Sequence, residues 1–235
     1  MIRTLLLTGS HNHDWRRSAP FCANLLIQSG RFTVDIEEDP SSTLELSDLS
    51  DRYDLIFLDY NGPSWSDAAN SNFVDAIRAG MGLVVLHGAN NGFIDWIEFE
   101  SMVGLLWRDN GGHGQFHEFT VDFTDTDHPI TQGLAPFQTW DELYHGLESR
   151  HGTTFHELAS AYSEASLGGT GKREPMLITT QFGAGRVFQT MLGHVWPGAD
   201  DGQHKGNSMI AFESEGFQRT LVRGAEWAAN GVVTL

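Results

Sequence analysis

Basic residues and cysteine are scarce in this sequence. Its 235 residues include 14 lysines and arginines against 31 aspartates and glutamates, a net charge of −17. Nucleic acid and anionic membrane surfaces repel such a chain, so we expect neither as a partner. The single cysteine, Cys22, excludes an internal disulfide and is typical of a reducing compartment, which predicts a cytoplasmic location.

Long apolar runs are also missing. No stretch approaches the roughly 20 residues that cross a bilayer. The short run over residues 4–8 is followed by no small-residue cleavage site, and we interpret it as a strand rather than a signal peptide. The sequence does contain 40% hydrophobic and 11% aromatic residues, which is enough for a large core. At this length we expect a single domain over residues 1–235.

Four apolar runs in the first half of the chain alternate with helical patterns. The connections are short and each helix carries one apolar face, as is typical of parallel strands covered on both sides. The expected fold is α/β: a doubly wound, mostly parallel sheet in a flavodoxin-like three-layer sandwich. We expect these strands to be central and in the order two-one-three-four. The predicted strands are residues 4–8, 32–36, 55–59 and 82–86.

Two local signals predict where the first helices begin. Pro20 is expected in the first turn of the helix after the first strand, where proline is tolerated. The same helix carries Cys22 on its apolar face, which predicts a buried structural thiol. Ser64 and Asp67 have the spacing of a capping box and predict the start of the helix after the third strand.

The second half of the chain is less regular. Phe116–Phe123 alternates apolar and polar residues, which predicts a strand on an antiparallel side of the sheet. Residues 176–182 and 186–192 flank a Gly-Ala-Gly turn and predict a hairpin. The Gly-rich segments 95–115 and 160–175 are weakly patterned, so we expect them to be excursions that cover the site.

Polar side chains follow several of the predicted strands where each strand ends. In an open α/β sheet, ligands bind in the crevice beyond the carboxyl ends of the strands. Histidine and asparagine at these ends can bind a metal, exchange protons or hydrogen-bond a polar substrate. The residues expected at this edge are His11, His13, Asn61, His87, Asn90 and His194.

His87 follows the fourth strand and precedes Gly88, at a position that resembles the sharp strand-to-helix turn that presents nucleophiles. Histidine cannot replace a cysteine or serine nucleophile, but it can act as an acid, a base or a metal ligand. The alternative is a histidine whose ring nitrogens are satisfied by backbone groups. Several histidines at strand ends of one crevice favour the functional interpretation.

Six sequence blocks resemble the ThuA-like (trehalose utilisation) family. They occur in the family's order and run through nearly the whole chain. The resemblance implies the fold of the class I glutamine amidotransferase-like superfamily. The blocks are His13-Asp14-Trp15, Gly82–Ala89, His128-Pro129-Ile130, Asp141–Tyr144, Gly183–Val187 with the following Leu192-Gly193-His194, and Glu226–Ala229.

One departure from that superfamily concerns its glutaminase triad. Active members carry a cysteine at the elbow, a histidine, and a glutamate two residues further on. Here the elbow holds His87, and the matching His194 is followed by Val195 and Trp196. Cys22 cannot substitute from the apolar face of its helix. We therefore expect no glutamine hydrolysis.

The resemblance implies a small-molecule carbohydrate as the substrate, such as a disaccharide or its keto form. It implies an enzyme without a covalent nucleophile, with lyase, hydrolase and isomerase chemistry all open. We assign the catalytic roles to His87, His194 and Glu142. Substrate-binding roles are expected for His11, Asn61, Asn90, Tyr144, Trp15 and Trp140, and the expected ligands of a divalent metal such as zinc are His13, His87 and His194.

Other interpretations stay open. The chain could be a non-catalytic sugar-binding or regulatory module, or a metal-dependent hydrolase of another small polar substrate, and it could form a homo-oligomer. His113 and His117 have metal-ligand spacing for a helix, but the surrounding glycines favour a loop. Asp141 and Glu142 could be solvated acids that follow a loop. Tryptophans that could stack on sugar rings are Trp15, Trp65, Trp107, Trp140 and Trp196.

Overall fold

The computed structural model describes residues 1–46, 48–197 and 206–234. Its strands are β1 (Ile2–Leu7), β2 (Phe32–Glu37), β3 (Leu55–Leu58), β4 (Gly82–Leu86), β5 (Gly112–His113), β6 (His117–Phe123), β7 (Phe137–Asp141), β8 (Tyr144–His145), β9 (His156–Tyr162), β10 (Arg173–Phe182) and β11 (Gly185–Thr190). Its α-helices are α1 (Trp15–Gln28), α2 (Pro40–Leu44), α3 (Leu49–Arg52), α4 (Asp67–Ala79), α5 (Ile97–Val103) and α6 (Glu215–Asn230). Within these described ranges, no helix is long and apolar enough to span a bilayer.

Nine of the strands form one mixed sheet in the order β2-β1-β3-β4-β11-β10-β9-β6-β7. From β2 to β11 the neighbours pair in parallel. From β11 to β7 every pair is antiparallel. A separate two-stranded sheet joins β5 to β8. The carboxyl ends of the parallel strands therefore meet along one edge.

The predicted parallel order two-one-three-four is confirmed, as is the α/β class. The expectation that all four strands are central was wrong. They form one half of the sheet, and β2 lies at its edge. The antiparallel strands β10, β9, β6 and β7 extend the sheet beyond β11. Antiparallel neighbours need no crossover helix between them.

Two apolar cores, one on each face of the sheet, produce the three layers. Leu6 and Val84 face the first core, to which α1 and α6 contribute buried residues such as Leu26. Their sequence neighbours Leu5 and Val85 face the second core with residues of α4 and α5. Because successive strand residues point to opposite faces, strands buried on both faces must be apolar throughout.

The start of α1 differs from its prediction. The helix begins at Trp15, so Pro20 lies inside it rather than in the first turn. Proline has no N–H, and the bond from residue 20 to the carbonyl of Arg16 cannot form. Trp15 is 9% exposed, so burial of its ring at the first position favours the earlier start. Cys22 is fully buried, as predicted.

The start of α4 also differs. Ser66, not Ser64, is the N-cap, and its Oγ accepts a hydrogen bond from the N–H of Ala69 at 3.2 Å. Both serines precede the same apolar pattern, and only the backbone conformation distinguishes them. A cap residue needs extended φ and ψ, which Ser66 adopts.

In the second half, the strand over Phe116–Phe123 and the hairpin are confirmed as antiparallel, with shifted ends. Segment 95–115 is more regular than predicted, because it contains α5. Its short apolar pattern, Ile97 to Val103, has too few turns to stand out from the sequence. His113 and His117 lie in strands, so they do not share one helix face.

Packing at Gly224 gives a stability prediction. A Cβ at this position of α6 would overlap the ring of Phe188 in β11. Alanine favours a helix by about 1 kcal/mol over glycine, but overpacking costs typically 1–3 kcal/mol. We expect Gly224→Ala to lower the free energy of unfolding by about 1–2 kcal/mol in denaturant titrations. Arg219→Ala, on the exposed side of the same helix, should change it by less than about 0.5 kcal/mol. A Gly224→Ala protein as stable as the parent would contradict this packing.

Candidate metal centre

Four side chains from distant parts of the chain converge at the carboxyl edge of the sheet. Single ligand atoms of His13, His87, Glu142 and His194 all lie within 4.8 Å of one another. They follow β1, β4, β7 and β11, respectively. The three histidines were expected in one crevice and Glu142 in a catalytic role, and the structure brings all four together.

His87 lies at the elbow after β4 with φ of +44°, in the left-handed region that non-glycine residues seldom adopt. Its Nδ1 is 2.5 Å from the carbonyl oxygen of Met191. A carbonyl only accepts, so Nδ1 carries the proton and Nε2 carries the lone pair. Nε2 is buried without a hydrogen-bond partner among the described residues. A buried imidazole with one nitrogen tied to a carbonyl and the other unpaired is suited to bind a metal.

Glu142 is the anionic member of the cluster. Its Oε2 lies 3.1 Å from His194 Nδ1 and 3.8 Å from His87 Nε2. Burial by itself raises the pKa of Glu142, but the hydrogen bond with His194 and the neighbouring imidazoles outweigh it, and the pKa lies below its usual value. The carboxylate is therefore ionised at neutral pH and supplies one negative charge to the cluster.

Asp141 holds the loop of His194 against the end of β7. Its carboxylate accepts hydrogen bonds from the backbone N–H groups of Gly193 at 2.8 Å and His194 at 3.2 Å. Asp141 is completely buried, and the side chain of Glu142 is 15% exposed. The interpretation of these two residues as solvated acids after a loop was therefore wrong: Asp141 is the last residue of a strand.

The loop after β1 is tied to the elbow by Asn61. The side-chain amide of Asn61 donates to the carbonyl oxygen of Gly88 at 3.0 Å and to the side chain of Asn12, and its Oδ1 accepts from the N–H of Asn12 at 3.1 Å. Next to it, burial lowers the pKa of His11 to about 3. Both were predicted to bind substrate, and here they contact the segments that carry His13 and His87.

Aromatic rings surround the cluster. The ring of Tyr144 stacks on His87 with 4.2 Å between centroids, and Trp107 contacts Tyr144 edge-on at 4.5 Å. Trp196 stacks on His194 at 5.8 Å and is 43% exposed. Tyr144 is therefore packed against the cluster, whereas part of the Trp196 ring is exposed beside it.

The three remaining predicted substrate-binding residues lie in α1, in β7 and after β4. Trp15 is buried at the start of α1 with the guanidinium of Arg16 4.2 Å from its ring centroid. Trp140, in β7, is half-buried and lies 6.1 Å from Phe116, ring centroid to centroid. Asn90 is buried, and its side-chain amide has no hydrogen-bond partner among the residues that the structure describes. Their roles stay predictions.

His113 is a site residue that sequence reasoning assigned to a loop. Its Nε2 is 3.5 Å from Glu142 Oε1, and its side chain is 39% exposed. The pairing of β5 with β8 brings it next to Tyr144. A two-stranded pairing this short has no detectable sequence pattern. The only local signal was the glycines around His113, which indicate an irregular backbone. His117, its supposed partner, lies at the start of β6.

The fold and the site define a class. The parallel strands, the elbow after β4 and the histidine-carboxylate cluster at their carboxyl edge define a three-layer α/β fold with a polar site beyond the ends of its strands. The family model ThuA, described as trehalose utilisation, matches residues 3–228. The chain belongs to this family.

Solved structures agree with the assignment. A ThuA-like protein from Parabacteroides merdae is 34% identical, with a TM-score of 0.86 over 100% of this chain and 92% of the other. A ThuA-like protein from Bacteroides uniformis is 17% identical, with a TM-score of 0.64 over 99% and 94% of the two chains. A β-galactosidase from Bacillus circulans is 11% identical, with a TM-score of 0.58 over 99% of this chain and 31% of that one. The last two share the fold alone. No curated protein matches the chain.

Burial of the histidines predicts that acid destabilises the protein. Burial lowers the pKa of His11 and His87 to about 3, against about 6.5 in an unfolded chain. Between these values the unfolded state binds more protons, so the free energy of unfolding falls as pH drops through this window. Each residue contributes up to about 1.4 kcal/mol per pH unit.

Denaturant titrations at several pH values between 7 and 4, in the presence of a chelator, measure this effect. His11→Asn should give a shallower pH dependence than the parent between pH 6 and 4. His156→Asn, whose side chain is 57% exposed, is the matched control and should keep the parent slope. Equal slopes in all three proteins would show that the buried rings are not the cause.

The elbow also carries a negative prediction. The elbow holds His87, which has no thiol. Cys22 is buried and desolvation raises the pKa of its thiol, so it supplies no thiolate to attack an amide carbon. We expect no ammonia release from glutamine above a protein-free blank, and no change in Cys22→Ala. Ammonia release that disappears in Cys22→Ala would overturn the expectation.

Proposed function

We propose that this ThuA family member is an enzyme of disaccharide catabolism that acts on a sugar or keto-sugar with a divalent cation held by His13, His87, His194 and Glu142. The convergence of these four ligand atoms within 4.8 Å carries the proposal. No covalent nucleophile is involved. A small neutral carbohydrate is compatible with the net charge of −17, which disfavours phosphate-bearing partners.

The donor set fits a cation. Three imidazoles and one carboxylate are ligands that suit zinc and similar divalent ions. Burial lowers the pKa of His13 and of His87, so both rings are neutral at pH 7 and their lone pairs are available. A bound cation would supply charge that polarises a carbonyl or hydroxyl oxygen of the substrate. The unpaired, buried Nε2 of His87 supports this interpretation, because such an atom is otherwise costly.

Proton transfer needs further groups. A ring carbonyl acidifies the neighbouring C–H, so a positioned base can start elimination or isomerisation. The catalytic roles expected from the sequence fall on His87, His194 and Glu142. A histidine that binds the cation cannot also take a proton through the same nitrogen. His113, half-exposed and 3.5 Å from Glu142 Oε1, is then the group with a ring nitrogen available to the substrate.

Aromatic faces support a sugar. Trp196 is 43% exposed and stacks on His194, so part of its ring is open to a ligand beside the cluster. Sugar rings present apolar C–H faces that stack on such side chains, and their hydroxyls match imidazole and amide partners. The description of the family model, trehalose utilisation, agrees with this class of substrate.

The experiment is incubation of the protein with 3-keto-disaccharides and with their unoxidised parents, with and without chelator. We expect turnover that chelator abolishes and Zn²⁺ or Mn²⁺ restores. His87→Ala and His194→Ala should lower kcat/KM by at least about 100-fold, since each removes a ligand. His113→Ala should lower kcat more than it changes KM. His156→Ala, outside the site, is the matched control.

Each outcome separates the alternatives. Turnover that survives chelator but is lost in His87→Ala would favour proton transfer without a cation. Saturable sugar binding without turnover would favour a sugar-binding or regulatory module. Neither turnover nor binding of any sugar, together with tight binding of Zn²⁺, would leave a metal-dependent hydrolase of another small polar substrate. Turnover unaffected in both histidine variants would keep the substrate and refute the site.

A further inference from the structure

A buried polar chain extends from the cluster into the sheet on the side of α1. Asp59 follows β3 and is 2% exposed. Its Oδ2 accepts a hydrogen bond from Ser18 Oγ at 2.6 Å. Its Oδ1 lies 3.9 Å from Nε2 of His11, whose side chain is 2% exposed. This distance is too long for a hydrogen bond, and His11 Nε2 has no hydrogen-bond partner among the described residues, so the carboxyl group acts on the ring through its electrostatic field. No lysine or arginine among the described residues forms an ion pair with Asp59. Burial raises the pKa of Asp59 to about 7, because a buried carboxyl group without a cationic partner is costly to ionise.

The tautomer of His11 follows from its contacts. The backbone N–H of His13 donates to Nδ1 of His11 at 2.9 Å. A backbone amide can only donate, so Nδ1 of His11 is unprotonated. The ring is neutral, and its single proton is therefore on Nε2, the atom that faces Asp59. The opposite tautomer would direct a lone pair at the carboxylate and would lose the bond from His13.

The tautomer of His13 follows in turn. Nδ1 of His13 lies 3.2 Å from Nδ1 of His11. The His11 atom carries one lone pair, which also accepts from the backbone N–H of His13, so this second, shared contact is attractive only if Nδ1 of His13 carries the proton. The lone pair of His13 is then on Nε2. Gly88 permits the arrangement, since a Cβ there would lie 2.8 Å from Nδ1 of His13 and 2.9 Å from Cε1 of His11.

We propose that Asp59 and His11 form a relay that fixes His13 as the Nδ1–H tautomer and so presents its Nε2 to the cation. The proposal rests on the proposed function in that it takes His13 as a ligand. It assigns His11 a positioning role in place of the substrate contact expected from the sequence. Groups that orient a ligating histidine in this way typically change metal affinity 10–100-fold when they are replaced.

His13 and His87 are oriented by different kinds of group. His87 is oriented by a backbone carbonyl, which no side-chain substitution removes. His13 is oriented by two side chains, so its tautomer depends on residues 11 and 59. Asp59→Asn removes the charge at constant size and lets an amide N–H face His11, which favours the opposite tautomer of His11.

The first test is the affinity for Co²⁺ and Zn²⁺, measured by competition with a chromophoric chelator on the full chain. We expect Asp59→Asn and His11→Phe to bind 10–100-fold more weakly than the parent. His11→Asn should restore most of the affinity, because its Oδ1 can accept near the position of Nδ1. Asp54→Asn, a carboxylate paired with Arg3 at the surface, is the matched control and should bind as the parent does. The visible absorption of bound Co²⁺ should change in Asp59→Asn and not in Asp54→Asn.

The second test needs no metal. Nitrogen NMR of histidine-labelled, chelator-treated protein distinguishes the two neutral tautomers. We expect Nε2–H for His11 and Nδ1–H for His13, with the tautomer of His13 lost or mixed in Asp59→Asn. The Nε2–H tautomer of His13 in the parent would overturn the relay. So would parental metal affinity in a folded Asp59→Asn protein.

The two tests distinguish a failure of the proposed metal site from a failure of the proposed relay. If the parent binds neither ion, the metal part of the proposed function is refuted, and the tautomers alone decide the relay. If Asp59→Asn does not fold, the comparison of His11→Asn with His11→Phe decides it. Equal affinities in those two variants would overturn the relay, because a purely structural role would not depend on an acceptor at the position of Nδ1.

Discussion

The backbone pairing that holds β1, β3, β4 and β11 parallel is the constraint on which the site depends. Parallel neighbours end at the same edge, so the chain reversals after these strands are adjacent although they are up to about 180 residues apart in sequence. His13, His87 and His194 lie in three of these reversals. Glu142 enters from the antiparallel half, after β7. The fourth ligand therefore comes from the other half of the sheet.

Burial gives the cluster its chemical character and creates a cost. Desolvation lowers the pKa values of His13 and His87 and keeps the rings neutral, whereas Glu142 stays ionised beside them. Each buried polar atom then needs a partner. The structure supplies these partners from backbone at His87 and from side chains at His13, and Asp141 secures the loop of His194. Nε2 of His87 has no hydrogen-bond partner among the described residues and is therefore the atom best placed to bind a cation.

Much of the architecture could be predicted because it depends on periodicity. The apolar runs of β1 to β4 gave the parallel half and its order, since strands buried on both faces must be apolar throughout. Local choices were less accessible. Ser64 and Ser66 both suit a cap, and backbone conformation selected Ser66. The start of α1 depended on the burial of Trp15, which could not be predicted from the local sequence pattern.

The sequence by itself determined the fold class and the histidines at the strand ends, because strand periodicity and the sharp turns after strands are local properties. The family followed from the resemblance of six sequence blocks. Only the tertiary structure decided which side chains meet. Glu142 joins the cluster through β7, His113 joins it through a two-residue strand, and Asp59 lies behind His11 because β3 neighbours β1. These contacts span many residues of sequence and depend on strand order and burial, and the tautomer of a histidine depends on the contacts.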